Sequence, residues 1–125
     1  MELRSIDHVQ VAGPHGCEAA ARVFYGELLG LREIPKPPEL AARGGVWFAV
    51  GPQELHIGVE ADFRPARKAH PALTCADADA LAASLEASGA PVSWDSTIPG
   101  VRRFFTADPF GNRLEIVGEP LSSAF

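Results

Sequence analysis

The order of apolar and polar residues follows one pattern twice along the chain. Each copy begins with an alternating segment that predicts a strand, continues with helical periodicity, and ends in three more strand-like segments. The first copy covers about residues 1–60 and the second about residues 70–119. The charged segment 61–69 is the predicted connection, and residues 120–125 are a predicted tail. The pattern therefore indicates one domain made of a tandem repeat.

The predicted strands cover residues 5–13, 31–34, 46–50 and 54–60 in the first copy and 70–76, 92–98, 101–107 and 113–118 in the second. The predicted helices cover residues 17–29, with Ala20 and Val23 among the inward-facing residues, and 77–88. A copy of about 60 residues closes no sheet and buries no complete core by itself. The expected fold class is α+β, with two tandem βαβββ modules forming a cleft-lined, partly open mixed β-sheet barrel and helices outside.

Composition narrows the possible classes of protein. A hydrophobic content of 46% with 22% charged residues is typical of a soluble globular domain. No apolar run approaches the roughly 18 residues that cross a bilayer, and the first residues lack an apolar signal segment, so we expect a cytoplasmic location. A net charge of -5 without a basic run disfavours nucleic-acid binding. Without an export signal, Cys17 and Cys75 are expected to be thiols.

Four residues with metal-ligand chemistry occupy matching places in the two copies. His8 lies on the first predicted strand of one copy and His70 opens that of the other, while His56 and Glu115 lie on the last strands. The separations are similar, 48 residues from His8 to His56 and 45 from His70 to Glu115. If an approximate two-fold axis relates the copies, these pairs meet across the cleft. Imidazoles and a carboxylate suit a divalent ion such as Fe, Mn, Co, Ni or Zn. His15 lies outside this pattern and is expected to be a surface residue.

The turn before the last strand predicts which residues surround Glu115. A five-residue loop over 108–112 pairs Phe105 with Glu115 and puts Arg103 on the same face. Arg103 either binds a substrate carboxylate or enolate oxygen or forms a salt bridge at the mouth of the cleft, and the two roles are equally supported. Either Trp47 or Phe48 faces the same cavity.

Four further residues complete the sequence-based expectations. Gln10 shares the face of His8 and is a candidate hydrogen-bond partner for a ligand or water. Phe104 or Trp94, on the opposite face, is expected in the core under a helix. Tyr25, the only tyrosine, is expected to be structural.

Three motifs resemble those of the vicinal oxygen chelate superfamily, which contains glyoxalase I, bleomycin-resistance proteins, fosfomycin-resistance enzymes, methylmalonyl-CoA epimerase and extradiol dioxygenases. The motifs are Ile6-Asp7-His8-Val9, Phe24-Tyr25 followed by Leu28-Leu29-Gly30-Leu31, and Asp108-Pro109-Phe110-Gly111-Asn112-Arg113-Leu114-Glu115. The resemblance implies paired βαβββ modules and a metal ion in the cleft, with ligands at the positions of His8, His56, His70 and Glu115. It also implies a homodimer, in some members with sites shared between chains.

The chain departs from this resemblance at His56. Glyoxalase I members usually carry a carboxylate there, and the epimerases usually a glutamine. Fosfomycin enzymes and dioxygenases use two histidines and one glutamate, which correspond here to His8, His70 and Glu115. His56 then either completes the coordination or stands behind it as a donor or base.

These observations favour a metal-dependent, glyoxalase-like enzyme of the lyase or isomerase type. Its small-molecule substrate would present two oxygens on adjacent atoms to the ion, while Glu115 or His56 moves a proton. One alternative is an Fe(II) ring-cleaving dioxygenase of the same fold. Another is a non-catalytic protein that binds a small aromatic compound, as bleomycin-resistance proteins do.

Overall fold

The computed structural model describes residues 1–120 and divides the chain into two units, Met1–Pro65 and a second that begins at Ala66. The last five residues of the predicted tail, 121–125, lie outside the described part. None of the helices within residues 1–120 has the length and apolar character that a membrane crossing requires.

The elements of the first unit are β1 (His8–Gly13), α1 (Glu18–Ala21), a π-helix (Arg22–Leu28), β2 (Arg32–Ile34), α2 (Pro38–Ala41), β3 (Val46–Val50) and β4 (Gln53–Val59). Those of the second unit are β5 (Ala72–Cys75), α3 (Ala78–Ala87), β6 (Ser93–Asp95), β7 (Arg103–Ala107) and β8 (Arg113–Gly118). The short helix α2 begins with a proline at its first helical position, whose fixed φ suits a helix start.

The two sheets have the same topology. The first has the strand order β1-β4-β3-β2 and the second β5-β8-β7-β6, and in each the first and last strands are parallel while the other neighbours are antiparallel. Each is an open, mixed, four-stranded sheet. The predicted α+β class and the repeated βαβββ module are confirmed.

Strand register confirms that the metal-capable residues occupy equivalent positions. Gln10 lies opposite His56 in the first sheet, and Ala72 lies opposite Glu115 in the second. His8 lies two residues before Gln10, and His70 lies two residues before Ala72, so His8 and His70 are equivalent as well. One detail of the prediction is wrong: β5 begins at Ala72, and His70 lies on the preceding loop rather than in the strand.

Each unit has its own apolar core, formed by one sheet face and its helix. Tyr25, Phe48, Leu55 and Ile57 are fully buried in the first unit, and Leu85, Phe104, Leu114 and Ile116 in the second. The structural role expected for Tyr25 agrees with this burial. Of the two candidates for the core, Phe104 is the buried one, whereas 38% of Trp94 is exposed and the guanidinium of Arg102 lies 3.7 Å from its ring centroid.

The helix predicted over residues 17–29 changes from an α-helix to a wider π-helix. After one α-helical turn it continues as a π-helix, in which the Leu29 N–H donates to the Phe24 carbonyl, five residues earlier. The wider turn buries Phe24 and Tyr25 together, whereas Val23, which α-helical periodicity placed inward, is 50% exposed. Ala20, also expected inward, is exposed too.

Glu18 fastens the start of this helix to the loop before β3. Its Oε2 atom accepts a hydrogen bond from the Gly45 N–H at 2.6 Å. That bond is the main reason why the pKa of Glu18 lies below its ordinary value of 4.5. A carboxylate with a lower pKa in the folded than in the unfolded chain stabilises the fold above its unfolded pKa, and this contribution disappears as the pH falls through the folded pKa.

Glu18→Gln is therefore expected to lower the free energy of unfolding by about 1–2 kcal/mol at pH 7, because a charged acceptor becomes a neutral one. The difference from the unsubstituted protein should shrink as the pH is lowered below about 4.5. Urea unfolding followed by circular dichroism at several pH values measures it. Glu27→Gln, an exposed glutamate of the π-helix, is the matched control and should change stability little at any pH. A difference that is independent of pH would contradict the role of the charge.

Candidate functional site

A turn between β7 and β8 sets the position of Glu115. Asp108 is buried, and its Oδ1 atom accepts hydrogen bonds from the N–H groups of Phe110 and Asn112, both at 2.9 Å. The buried side chain of Asn112 donates to Asp108 Oδ2 at 2.9 Å and accepts from the Ala66 N–H at 3.0 Å. The Arg113 N–H then donates to the Ala66 carbonyl at 2.9 Å. This turn therefore ties the segment before His70 to the start of β8.

His70 and Glu115 are joined directly. The Pro71 carbonyl accepts a hydrogen bond from the Glu115 N–H at 3.1 Å, which holds the loop beside β8. His70 Nε2 lies 2.9 Å from Glu115 Oε1, and His70 Nδ1 lies 2.8 Å from the Lys68 carbonyl oxygen. A carbonyl only accepts, so Nδ1 carries a hydrogen. In neutral His70 the Nε2 lone pair would consequently face the carboxylate, and either a proton or a cation must lie between them.

The second oxygen of Glu115 is held by Arg103. Arg103 donates to Glu115 Oε2 at 3.0 Å and forms a further ion pair with Asp95 at 3.4 Å. Burial alone raises the pKa of Glu115, but the hydrogen bonds and charges of His70 and Arg103 together outweigh it, so the pKa lies below its usual value. Glu115 thus stays ionised in a largely buried position, the state in which a carboxylate binds a cation.

Phe105 lies across from Glu115, as the turn length predicted, and the pairing of Ala107 with Arg113 is confirmed. Its ring meets His70 edge-on, with centroids 5.5 Å apart. The guanidinium of Arg113 lies 4.0 Å from the centroid of the same ring. Phe105 therefore contacts both the imidazole and a guanidinium of this sheet face.

The equivalent face of the first unit carries a stack of three rings. His56 is only 3% exposed and lies parallel to Trp47, with ring centroids 3.8 Å apart and an angle of 3° between planes. On its other side His8 stacks at 4.2 Å and 15°. Trp47 is thus the residue on the His56 face, and the alternative, Phe48, lies in the core near Tyr25.

Carboxylates orient both histidines of this stack. His56 Nε2 lies 2.9 Å from Glu54 Oε1, and His8 Nδ1 lies 2.9 Å from Asp7 Oδ1. A carboxylate partner on one ring nitrogen fixes the tautomer, and Nε2 of His8 is left as its ligand-binding nitrogen. Gln10 shares this face and lies against Gly58, where an added Cβ would lie 2.8 Å from its amide group. His15 is exposed, as expected for a residue outside the repeat.

The donor chemistry and spacing of the His70–Glu115 pair fit a divalent ion. Two ligand atoms about 2.1 Å from an ion and at right angles lie about 3.0 Å apart, close to the separation of His70 Nε2 and Glu115 Oε1, 2.9 Å. His8 and His56 differ, because lone pairs of nearly parallel stacked rings do not converge on one point. Within either unit taken alone, residues 1–120 provide no group of three or more His, Cys, Asp or Glu side chains that could hold a metal ion.

Three residues with a clear place at these sites did not emerge from the sequence reasoning: Glu54, Asp95 and Arg113. Glu54 and Arg113 each lie two residues before a predicted ligand, His56 or Glu115, and strand alternation puts such residues on the same face. That signal was present in the sequence. Asp95 required the register of β6 on β7, which no turn length specified.

Comparisons with other proteins agree with this architecture. The family model described as "Glyoxalase-like domain" matches residues 15–117. A putative glyoxalase family protein from Bacillus anthracis is 51% identical, and the match covers 95% of this chain and 98% of that chain with a TM-score of 0.91. The comparison with curated proteins gave no match.

Two more distant structures share the fold. Lactoylglutathione lyase from Agrobacterium tumefaciens is 23% identical over 92% of this chain and 95% of that chain, with a TM-score of 0.65. The fosfomycin resistance protein FosX from Listeria monocytogenes is 13% identical over 99% of this chain and 100% of that chain, with a TM-score of 0.74. The two βαβββ units, the family match and the close relative lead to one conclusion: the chain belongs to the glyoxalase-like domain family of the vicinal oxygen chelate superfamily.

Proposed function

We propose that this protein is a metal-dependent enzyme of the lyase or isomerase type that acts on a small substrate with oxygens on two adjacent atoms. His8, His70 and Glu115 are the proposed ligands of one divalent ion, whether a site draws on one chain or on two copies in a homodimer. The ion, when bound, stabilises negative charge that develops on a substrate oxygen.

The hydrogen bonding of His70 carries this proposal. Its Nδ1–H is used by the Lys68 carbonyl, so Nε2 is the nitrogen that faces an ionised carboxylate oxygen, 2.9 Å away, and a metal ion would take the place of the proton between them. Such a pair is stable when a cation binds both atoms. His8 has the matching arrangement, with Nδ1 on a carboxylate and Nε2 available. A FosX variant of the same fold was crystallised with Mn(II) and 1S,2S-dihydroxypropylphosphonic acid, which supports a metal in this architecture.

The two candidate bases have different roles in the proposal. Glu115 is a weak base, since the hydrogen bonds of His70 and Arg103 keep its pKa low; it serves as a ligand. His56 has the arrangement of a base, with Nε2 held by Glu54 and Nδ1 left to exchange a proton. Its stacking between Trp47 and His8 fixes the direction of the ring. Arg103 keeps Glu115 ionised and oriented.

The remaining proposed substrate-binding residues surround the substrate. Trp47 and Phe105 would supply apolar walls, and Gln10 a hydrogen bond. Phe48, the other candidate in β3, is fully buried in the core and is not given a substrate contact.

Metal content of variants tests the ligand set. Protein purified without chelator is expected to bind one divalent ion per site, and His8→Ala, His70→Ala and Glu115→Gln should each reduce the bound metal at least about tenfold. His15→Ala is the matched control and should retain it. His56→Gln should also retain it, because His56 is assigned to proton transfer. Elemental analysis after dialysis against Fe, Mn, Co, Ni and Zn salts gives both the amount and the preferred ion.

Three results would contradict this proposal. Retention of metal in Glu115→Gln, or loss of metal in His15→Ala, would show that the proposed ligands are wrong. An unsubstituted protein that binds aromatic compounds tightly but no metal would instead support the non-catalytic binding protein.

The same ligand set also fits an Fe(II) ring-cleaving dioxygenase. Two histidines and one carboxylate with open positions are typical of Fe(II) oxygenases. Oxygen consumption by the Fe(II)-loaded protein with catechol would favour the ring-cleaving dioxygenase, and its absence together with metal binding would favour the lyase or isomerase.

A further inference from the structure

The side chain of Arg113 has no acidic partner among residues 1–120. It is half-buried, and its guanidinium lies over Phe105 with 4.0 Å from the Cζ atom to the ring centroid. Strand alternation puts it on the same face of β8 as Glu115. A cation is therefore held beside the His70–Glu115 pair by an aromatic ring instead of a carboxylate.

The neighbouring arginines of the second unit differ from Arg113 in this respect. Arg103 is neutralised by Glu115 at 3.0 Å and Asp95 at 3.4 Å. Arg102 also lies over an aromatic ring, that of Trp94, but forms an ion pair with Asp79. Arg113 has the ring without the ion pair.

The stacking leaves the hydrogen-bonding capacity of Arg113 for a ligand. A guanidinium interacts with a ring through its charge, while its five N–H donors lie in its own plane and match the two oxygens of a carboxylate. Phe105 also meets His70 edge-on, so one ring positions both the predicted metal ligand and the free guanidinium.

The charges of this sheet face favour an anion. Strands β6 to β8 place two carboxylates, Asp95 and Glu115, and two guanidinium groups, Arg103 and Arg113, on it. These four charges cancel, so a divalent ion at His70 and Glu115 would leave the face positive. A ligand that brings negative charge compensates it.

We propose that Arg113 forms a carboxylate-binding subsite, and that the substrate is an anion carrying a carboxylate in addition to the two oxygens that bind the metal. This inference rests on the proposed function and names its substrate class. Arg113 touches the substrate and determines specificity, whereas Phe105 positions it.

Two probes that differ by one carboxylate group test the subsite. Catechol and 3,4-dihydroxybenzoate both offer adjacent oxygens, and only the second has a carboxylate. Isothermal titration of the full chain, loaded with Mn(II) and separately after chelator treatment, gives the ratio of their dissociation constants. In the unsubstituted protein the carboxylate should increase affinity about tenfold or more. Arg113→Gln should reduce that ratio to about one while leaving catechol binding within about twofold.

Two control variants separate the charge of Arg113 from the shape of its guanidinium and from the loss of any stacked arginine. Arg102→Gln removes a stacked guanidinium from elsewhere in the second unit and should preserve the preference for the carboxylate. Arg113→Lys keeps the charge but not the planar donors, so it should retain only part of the preference. Melting temperatures confirm that each variant is folded.

The outcomes distinguish the two proposals. Equal affinities of both probes for the unsubstituted protein, no binding of either, or an unchanged ratio in Arg113→Gln would each overturn the carboxylate subsite. Metal content, measured on the same samples, decides the metal-dependent function separately. A protein that binds metal without charge preference would thus keep its proposed function and lose this subsite.

Discussion

Asp108→Ala is expected to lower the free energy of unfolding by about 3–5 kcal/mol. The side chain accepts from the N–H groups of Phe110 and Asn112 and from the Asn112 amide. Removal of this buried carboxylate would leave the three donors without their acceptor. Each unsatisfied buried donor costs about 1–3 kcal/mol, unless water or a local rearrangement supplies a new acceptor. Because Asn112 also holds Ala66, the substitution should loosen the segment that leads to His70.

Chemical denaturation with urea measures this change, and hydrogen exchange locates it. Asp108→Asn keeps one acceptor oxygen and should be intermediate. Asp79→Ala, at an exposed aspartate in the same unit, is the control for charge removal and should have a much smaller effect. If Asp108→Ala were no more destabilising than Asp79→Ala, the turn would not hold the sheet as described.

Gly45→Ala is expected to be as damaging, with a loss of about 3–5 kcal/mol. Gly45 has a φ of 88°, which costs any other L-residue about 1–2 kcal/mol. A Cβ there would also overlap the carbonyl oxygen of Ile57, which is main chain and cannot move aside cheaply. The clash would separate β3 from β4 at the end nearest the Glu18 contact.

Gly51→Ala separates the two causes. Gly51 also has a positive φ, 55°, but an added Cβ would meet nothing within 4 Å. It should therefore cost only the conformational part, about 1–2 kcal/mol. Equal losses in both variants, measured by thermal unfolding, would show that the close approach to Ile57 has no energetic importance.

Much of the fold follows from local signals in the sequence. Alternation and turn residues predicted all eight strands, and the five-residue loop before β8 predicted the pairing of Phe105 with Glu115. The Asp77 side chain caps α3 by accepting from the Ala80 N–H at 3.0 Å, at the residue where the predicted helix 77–88 begins. These features depend on residues close in sequence, so a single sequence contains them.

Features that depend on packing did not follow from the sequence. The π-helix forms where Phe24 and Tyr25 both enter the core, and no periodicity of a single helix type predicts that combination. The choice between Trp47 and Phe48 required the register of β3 on β4. The exposure of Trp94 arises because β6 is a short edge strand whose outer face is covered by Arg102 instead of a helix.

The sequence predicted which residues belong to the candidate site, but it did not predict the role of each one. Repeat symmetry identified His8, His56, His70 and Glu115 together, and the register confirms their equivalence. It did not distinguish a ligand from a stacked histidine, because that difference lies in ring planes and hydrogen-bond partners. The metal site, the homodimer and the cytoplasmic location stay predictions.

The contact that orients the His70 ring comes from the main chain of Lys68, so it does not depend on which side chain occupies that position. Position 68 is consequently suited to a reporter group. A fluorescent dye on a cysteine introduced there would lie two residues from His70 and leave that hydrogen bond intact, while Cys17 is buried and Cys75 half-buried. Such labelling would convert occupancy of the His70–Glu115 pair into an optical signal, without knowledge of the natural substrate.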